Sequence, residues 1–467
     1  MAQAQHKQNP VTARQATAYQ APVALSEDLI GFILQGLEAR DALRVRDLTA
    51  NLHKGDIAEL LHVITPEQRR QLIETIHDTL DPEVLVELEG EVKEQVISHL
   101  GAEESAAAIT QLDHDEAVQV MEDLTKADQG EILESVPEGR RKALEAGLAL
   151  PEDAAGRIMD THFVAVPEDW DVGQAIDFLR AARDLPDDFY AIYLVNAHNH
   201  PVGSVLASRI LRHRRDVPVR SIMEVKLTTV QVTMDQEEVA YMFRKYGLVS
   251  APVVDGHGAL AGVISIDNIM TVIEEEAEED IMRLGGVMET DLRASALATT
   301  RHRFPWLFVN LLTAFLDTAV ISLFEDAITK VVALAALMPI IAGMSGNAGT
   351  QTMTVAVRGL AMHELTLTNR MRIILKEVQA GLLNGLILGI ITAVCTYIYY
   401  GDFLISLILM IAMVIALGVA ALAGVLIPLM LLKLRVDPAV VSTIFLTTVT
   451  DVTSFFCFLG LATWWLL

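Results

Sequence analysis

The sequence predicts a multidomain membrane protein, in which an α-superhelical domain and a duplicated α/β module precede a five-helix, all-α transmembrane domain. The separation of charge from hydropathy is the first observation behind this prediction. Residues 1–300 hold 53 acidic and 26 basic side chains, whereas residues 301–467 hold 8 and 9, although 52% of the 467 residues are hydrophobic. The second observation is a short repeat in the N-terminal part, and the third is a longer duplication that follows it. Together they predict an acidic soluble part joined to a nearly neutral, apolar part.

The charge balance also limits the partners that the chain could bind. A formal charge of −26 produces a negative field, which repels nucleic acid and attracts cations. We therefore expect no nucleic-acid partner. Both cysteines, Cys395 and Cys457, lie in apolar runs, so we expect neither a disulfide framework nor a thiolate metal site.

The N-terminal 150 residues divide into a tail and a helical domain. Residues 1–24 are polar and contain no signal peptide or span, so we expect a disordered tail that begins in the cytosol. Residues 25–150 form an acidic helical N domain, in which a 12-residue unit recurs. The units are residues 101–112, 113–124, 125–136 and 137–148. Helices this short cannot bury their apolar faces alone, which predicts a superhelical stack.

Residues 151–268 contain a longer duplication. The tetrapeptide Gly-Arg-Ile-Met at 156–159 recurs as Arg-Ser-Ile-Met at 220–223. Each copy continues with a short strand, a helix that begins near Asp171 or Asp235, two further strands and a helix. The sequence has no Walker loop, no Rossmann glycine fingerprint and no His-Glu-x-x-His motif. We therefore expect a paired regulatory module and no enzymatic activity.

An acidic connecting helix, residues 269–300, is predicted to join this module to the membrane domain. Five glutamates and one aspartate lie within residues 274–280. These carboxylates repel one another unless water or cations neutralise them. A solvated connector and a cation-sensing element both fit this pattern.

The transmembrane domain, residues 301–467, contains five runs that are long and apolar enough to cross about 30 Å of hydrocarbon as helices. They are residues 305–324, 331–357, 373–400, 403–432 and 439–467. Basic residues precede the first run and also join the second to the third and the fourth to the fifth. The positive-inside bias then places the soluble part in the cytoplasm and the C-terminus outside. A soluble, all-apolar helical core is the alternative that this pattern disfavours.

Acidic residues inside the bilayer are the first functional candidates. Asp451 lies mid-membrane in a run of hydroxyl-bearing residues, where a carboxylate is costly unless it faces water, a cation or a partner. This favours an ion pathway; the alternative is a protonated Asp451 that hydrogen-bonds a neighbouring helix. Asp317 also lies within the first run. Glu325 follows at the outer end of that run, where interfacial water accounts for it at little cost.

The second run contains an unusual polar stretch at residues 339–351. Three glycines, Asn347 and Gln351 lie within nine of its residues, which disfavours a continuous helix. Small residues permit either close helix packing or an unwound stretch whose carbonyls face a cavity. Packing requires the glycines but not the amides, so we favour a polar cavity lining.

The whole arrangement resembles the MgtE-type magnesium transporters. The resemblance rests on an acidic N domain, tandem CBS motifs, an acidic connecting helix and five spans. Its most specific strings are residues 339–351, Phe324-Glu325, Asp437-Pro438-Ala439, residues 448–453 and residues 458–462. It implies a homodimer in a bacterial inner membrane, with a pore between the two membrane domains. It assigns the pore carboxylate to Asp451, with the Thr447 carbonyl nearby, Asn347 near the pore and Glu325 near the external side.

The resemblance also implies regulation by cytosolic Mg²⁺, which binds between the N domain, the CBS pair and the connecting helix and closes the pore. The candidate ligands retained here are Asp115, Glu237, Asp267, Glu274, Glu276, Glu279 and Asp280. Positions where the family carries acidic residues are occupied by Asn268, Thr271, Gly247 and Gln119. We therefore expect Mg²⁺-dependent closure to be weaker, shifted or lost while permeation survives.

CBS pairs in this family also bind an adenine nucleotide such as ATP, through a Ser/Thr-x-x-Asp ending that holds ribose. The second copy has Ser265 but places Asn268 at the aspartate position, and the first copy has Leu206 and Arg209 there. The sequence therefore disfavours ATP binding without excluding it.

The overall prediction is a transporter or channel that moves Mg²⁺ into the cytosol down its electrochemical gradient. An inside-negative potential contributes about 4.6 kcal/mol per divalent ion at about 100 mV, so no ATP hydrolysis is needed. One alternative is a transporter that prefers Co²⁺, Ni²⁺ or Mn²⁺, which the lack of intramembrane His or thiolate clusters disfavours. Another is a non-conducting, membrane-anchored Mg²⁺ sensor.

Overall fold

The computed structural model of the chain describes residues 25–182, 185–186, 189–287, 296–362, 364–365, 368–434 and 438–466. The predicted tail, residues 288–295 of the predicted connector, and Asp437 lie outside the described residues. The chain divides after Met270 into two compact units.

The N domain consists of eight short helices. They are α1 (Glu27–Glu38), α2 (Ala42–Thr49), α3 (Lys54–Val63), α4 (Pro66–Ile76), α5 (Gly90–Gln111), α6 (His114–Glu122), α7 (Lys126–Ser135) and α8 (Glu138–Leu148). Local sequence sets their ends: Asp113 caps α6 in a capping box with Glu116, and Thr125 caps α7.

The 12-residue units coincide with these helices. α6, α7 and α8 each begin one residue after the start of a unit, and the first unit begins at Gly101, whose φ of 80° interrupts α5. The last residues of three units, Leu112, Leu124 and Val136, are all buried in the shared core. The repeat therefore corresponds both to the length of each helix and to the spacing of the buried residues that end each unit.

The module after the N domain contains two three-stranded sheets of the same topology. The first consists of β1 (Ala165–Pro167), β2 (Ala191–Val195) and β3 (Pro201–Leu206), and the second of β4 (Val230–Gln231), β5 (Ser250–Val254) and β6 (Leu260–Ser265). In each sheet the first strand pairs parallel to the second, and the third pairs antiparallel to the second. The helices are α9 (Val172–Ala181), α10 (Ala207–Arg212), α11 (Val219–Ile222), α12 (Gln236–Tyr246) and α13 (Ile266–Leu284).

The two copies of the module contact each other directly. The Tyr193 hydroxyl donates to the Ser250 hydroxyl at 2.8 Å, and the Gly156 amide donates to the Val232 carbonyl at 2.9 Å. A Cβ on Gly156 would lie 2.6 Å from Val232 Cγ1, so this approach requires glycine. The duplicated sequence therefore forms one paired body.

The second unit contains the membrane helices. They are α14 (Ala296–Ser322), the short α15 (Glu325–Lys330), α16 (Ala333–Ala361), α17 (Arg370–Tyr400), α18 (Phe403–Lys433) and α19 (Pro438–Leu466). All except α15 are long and apolar enough to span a membrane, which confirms the five predicted spans. α18 is the most buried and packs against α16, α17 and α19. Gly381 and Gly385 of α17 let its backbone approach α18, since a Cβ on Gly381 would lie 2.7 Å from the Leu417 carbonyl oxygen.

The second span differs from the unwound stretch considered above, because α16 is a continuous helix through its three glycines. The glycines have different surroundings. A Cβ on Gly343 or Gly346 would meet nothing within 4 Å, whereas one on Gly349 would lie 3.1 Å from Leu446 Cδ1. A continuous helix satisfies its own backbone groups, which hydrocarbon demands. Packing therefore explains Gly349 but neither of the other two.

We predict that Gly424→Ala destabilises the membrane unit, whereas Gly343→Ala has little effect. A Cβ on Gly424 would lie 2.8 Å from the Gly349 carbonyl oxygen and 2.9 Å from Thr352 Cβ. Overpacking of this kind costs about 1–3 kcal/mol. Thermal unfolding of the purified protein in detergent should show a lower melting temperature for Gly424→Ala only. Equal losses in both variants would contradict the packing described here.

Candidate functional site

Asp451 lies on α19 and is partly buried. The threonines before it direct their hydroxyls back into the helix: Thr447 donates to the Thr443 carbonyl at 2.9 Å, and Thr450 donates to the Thr447 carbonyl at 2.9 Å. Because Thr447 lies inside α19, its carbonyl accepts the Thr450 hydroxyl in addition to the helical hydrogen bond from the backbone N–H of Asp451. The hydroxyl protons are therefore used within α19, and Asp451 is the charged side chain of this stretch.

Asp317 of α14 belongs to the surroundings of Asp451. The two helices pack together, and the two carboxylates interact electrostatically. The Asp317 Oδ1 atom is buried and has no hydrogen-bond partner among the residues that the structure describes. The sequence marked Asp317 as an intramembrane acid but did not place it beside Asp451.

An aromatic contact accounts for this pairing. The rings of Phe324, two residues after the end of α14, and Phe456 of α19 lie 5.8 Å apart at 72°, which fixes the end of α14 against α19. Asp317 precedes the last residue of α14 by five residues and Asp451 precedes Phe456 by five, or about 7.5 Å each at the helical rise. The first and fifth spans run in the same direction. The two carboxylates therefore lie within about 3 Å of the same depth.

A buried hydrogen bond sets the position of α16 on α19. The hydroxyls of Ser345 and Ser454 lie 2.7 Å apart, and both side chains are fully buried. Gly349, four residues after Ser345, contacts Leu446, eight residues before Ser454, so the helices are antiparallel. The sequence analysis missed this contact. Small hydroxyl residues on two spans are its only signal, and they do not reveal which pair meets.

This register places Asn347 at the depth of Asp451. Asn347 follows Ser345 by two residues and Asp451 precedes Ser454 by three, so in antiparallel helices both lie on the same side of the serine contact. The displacements are about 3 Å and about 4.5 Å. Asn347 is exposed on the single chain, away from the buried face of α16. An amide and two carboxylates therefore share one level of the membrane unit.

Glu325 lies apart from this level. It is the first residue of α15 and is exposed. Asp317 lies five residues, or about 7.5 Å, before the end of α14, and Glu325 follows that end by three more residues. The structure therefore does not bring Glu325 together with Asp451.

Among the regulatory candidates, Asp115 has a direct partner in the CBS pair. The Asn268 amide nitrogen donates to Asp115 Oδ2 at 2.6 Å. Asp115 Oδ1 is buried and has no hydrogen-bond partner among the described residues. Burial raises the pKa of Asp115 to about 7, and the nearby charges of Asp160 and Glu116 add to the shift. A position where an acidic ligand was expected is thus occupied by a hydrogen-bond donor.

The remaining candidates are distributed over α12 and α13. Asp267 accepts a long hydrogen bond of 3.4 Å from the Tyr190 hydroxyl, and Glu279 forms an ion pair with Arg283 one turn later. The other candidates on these helices are Glu237, Glu274, Glu276 and Asp280. Within the described ranges no three His, Cys, Asp or Glu side chains are grouped as metal ligands. The structure of this single chain therefore does not gather these candidates into a metal site.

Two of the four positions at which this chain lacks the acidic residue expected from the family have a local explanation. Gly247 ends α12 with a φ of 63°, a conformation that favours glycine over an acidic residue. Asn268 is the third residue of α13 and closes a capping box with Ser265, because its Oδ1 accepts from the Ser265 amide at 2.9 Å and from the Ser265 hydroxyl at 2.7 Å. Nothing in the structure explains Thr271, which is exposed on α13.

Comparisons with known proteins cover almost the whole chain. A family model described as a divalent cation transporter matches residues 338–461, the MgtE intracellular N domain matches residues 52–153, and the CBS domain matches residues 155–216 and 219–275. The magnesium transporter MgtE of Thermus thermophilus is 30% identical over 444 residues, or 94% of this chain and 98% of that one. That of Enterococcus faecalis is 34% identical over 311 residues, or 67% of this chain and 69% of that one. A crystal structure of the cytosolic domain of the Mg²⁺ channel MgtE in complex with ATP is 26% identical, with a TM-score of 0.49, and covers 52% of this chain and 99% of that one.

We predict that Asp115 makes the soluble unit less stable as the pH rises. The raised pKa of Asp115 means that the folded state binds more protons than the unfolded state between about pH 4 and pH 7. Its contribution is therefore most favourable below about pH 4 and is lost as the pH rises through 7. Asp115→Asn should reduce this decline, leaving the slope due to Glu116, Glu122 and Asp160, whose pKa values burial also raises.

The measurement is thermal unfolding of the full chain in detergent from pH 5 to pH 8. Asp47→Asn, a change at an exposed aspartate of α2, is the matched control. An identical pH slope in wild type and Asp115→Asn would show that Asp115 does not titrate in this range.

Proposed function

The chain belongs to the MgtE family of magnesium transporters, and we propose that it passes Mg²⁺ into the cytosol along a pathway lined by Asp451. This membership confirms the family predicted from the sequence. The chain is accordingly a membrane transporter of Mg²⁺ with a cytosolic regulatory part, formed by the N domain and the CBS pair.

The observation that carries the pathway is the shared depth of Asp451, Asp317 and Asn347. Two carboxylates and an amide supply only oxygen ligands of the kind that Mg²⁺ prefers. Mg²⁺ loses its water reluctantly, so we propose that these groups hold the hydrated ion through water. A cation also offsets the cost of two carboxylates at bilayer depth, which otherwise repel each other.

We further propose that two copies of the chain form the pathway. No residue in the apolar segment of α14 is buried within the single chain. Leu307, Phe308 and Phe315, for example, are exposed. This surface suits the lipid bilayer or a second copy. Asn347 is likewise exposed on one chain, which suits a pathway between two chains.

The driving force and orientation follow from charge. We propose that the membrane potential drives the divalent ion inward, at about 4.6 kcal/mol per ion at about 100 mV. Arg301 and Arg303 before the first span, and Arg370 and Arg372 before the third, support a cytoplasmic soluble part and an external C-terminus in a bacterial inner membrane.

ATP is the weaker proposal for the CBS pair. A related cytosolic domain has been solved with ATP, but in this chain the position expected to hold ribose is Asn268. The Asn268 amide is already bonded to Asp115 and its carbonyl to Ser265. We propose that Mg²⁺ remains the principal ligand of this protein.

We predict that wild type rescues the growth of a magnesium-auxotrophic bacterium and that Asp451→Ala does not. Loss of the pore carboxylate should reduce Mg²⁺ uptake at least about tenfold, because a change of about 1.4 kcal/mol is enough for that factor. Asp326→Ala, at an exposed acid of α15, is the control and should rescue. Failure of the wild type would favour a non-conducting sensor, and preferential uptake of Co²⁺, Ni²⁺ or Mn²⁺ would favour the other alternative.

We predict that Asp317→Asn weakens Mg²⁺ transport less than Asp451→Ala does, by about two- to tenfold in the concentration needed for half-maximal uptake. The substitution keeps the shape of the side chain and removes the charge that acts on Asp451. Uptake in liposomes at several Mg²⁺ concentrations provides the measurement. Unchanged transport would show that the charge of Asp317 does not contribute to the pathway.

A further inference from the structure

The contact between Asp115 of α6 and Asn268 of α13 joins the N domain to the CBS pair across 153 residues of sequence. We propose that Asn268 is a built-in hydrogen-bond donor that holds this contact without a divalent cation, so that Mg²⁺ no longer controls it. This inference concerns the regulatory part of the proposed function and rests on it. The proposal makes Asn268 a positioning residue for the N domain.

The orientation of the Asn268 amide is fixed by its own helix cap. Its Oδ1 accepts two hydrogen bonds from Ser265, one from the backbone amide at 2.9 Å and one from the hydroxyl at 2.7 Å. The opposite atom is then the nitrogen, which must donate. That nitrogen lies 2.6 Å from Asp115 Oδ2. The cap and the contact between domains are therefore one rigid arrangement.

The surroundings of Asp115 explain why a donor is needed there. Asp115 is half-buried as a residue, but its Oδ1 atom is fully buried, and the carboxylates of Asp160 and Glu116 act on it electrostatically. Asp160 in turn interacts electrostatically with Asp113, Arg140 and His162. A buried carboxylate among like charges requires a hydrogen bond, a proton or a cation. A donor to an ionised acceptor gives one of the stronger hydrogen bonds, and Asn268 supplies it.

The same surface carries a second donor that belongs to the chain. Arg157, at the start of the CBS pair, forms an ion pair with Glu122 at the end of α6, and its guanidinium also donates to the Leu148 and Leu150 carbonyls. Both ends of α6 therefore meet donors from the CBS pair. Two acidic residues of the N domain are therefore paired with side-chain donors of the CBS pair.

An aspartate at position 268 would reverse this arrangement. Its carboxylate would still accept from Ser265, but it would face Asp115 with an oxygen in place of the N–H group. Two carboxylates at this distance stay ionised together only with a cation between them. Asn268→Asp should therefore convert a permanent contact into one that requires Mg²⁺.

The test is hydrogen–deuterium exchange of the full-length protein in detergent at pH 8, measured by mass spectrometry with EDTA and with 10 mM MgCl₂. In wild type, peptides from α6 and the start of α13 should exchange at nearly the same rate in both conditions. In Asn268→Asp, exchange in EDTA should be about tenfold faster or more, and Mg²⁺ should restore protection. Asn268→Ala should exchange faster in both, because it has neither donor nor ligand.

Asn51→Asp, which adds a carboxylate elsewhere on the N domain, is the matched control and should behave as wild type. The proposal is overturned if Mg²⁺ slows exchange in wild type as much as in Asn268→Asp, or if Asn268→Asp is fully protected in EDTA. Exchange does not depend on transport, so growth rescue by the same variants separates the two proposals. A chain that fails to rescue growth but shows the expected exchange pattern would disprove transport alone.

Discussion

The cost of burying a carboxylate is the constraint on which both candidate sites depend. In the membrane unit, Asp451 and Asp317 lie at one depth. The Oδ1 atom of Asp317 is buried and has no hydrogen-bond partner among the residues that the structure describes. In the soluble unit, Asp115 is half-buried with one fully buried oxygen, other acids act on it, and Asn268 donates a hydrogen bond to it. The same physical problem thus has two solutions. In the proposed pathway the passing ion neutralises the acids, whereas the contact in the soluble unit supplies a hydrogen-bond donor from the chain itself.

The position of the intramembrane acids depends on helix packing that is largely apolar. α18 forms the centre of the membrane unit, and the glycines of α17 allow it to approach closely. Around it, the Ser345–Ser454 hydrogen bond and the Phe324–Phe456 ring contact fix α16 and α14 on α19. These contacts lie one to two turns from Asp451. Rigid packing close to Asp451 therefore holds Asp317, Asn347 and Asp451 at a common level.

Much of this architecture could be predicted from sequence because it is local or periodic. The five spans follow from apolar length, the N-domain helices follow from the 12-residue repeat, and α9 and α12 begin directly after Asp171 and Asp235 as predicted. The pairings of Asp317 with Asp451 and of Asn268 with Asp115 could not be predicted, because each joins residues more than a hundred positions apart. The continuous α16 was also missed, since glycine content reports flexibility but not whether a neighbour packs against the helix.

The identity of residue 268 has an evolutionary dimension. Asparagine and aspartate codons differ in their first base alone, so a single transition exchanges the amide for a carboxylate. The cap on Ser265 accepts either residue, because both offer an oxygen to the same two donors. Lineages can therefore cross between a cation-sensing and a constitutive interface without passing through a misfolded intermediate. Natural variation at this codon would then track how tightly each host needs to govern its magnesium supply.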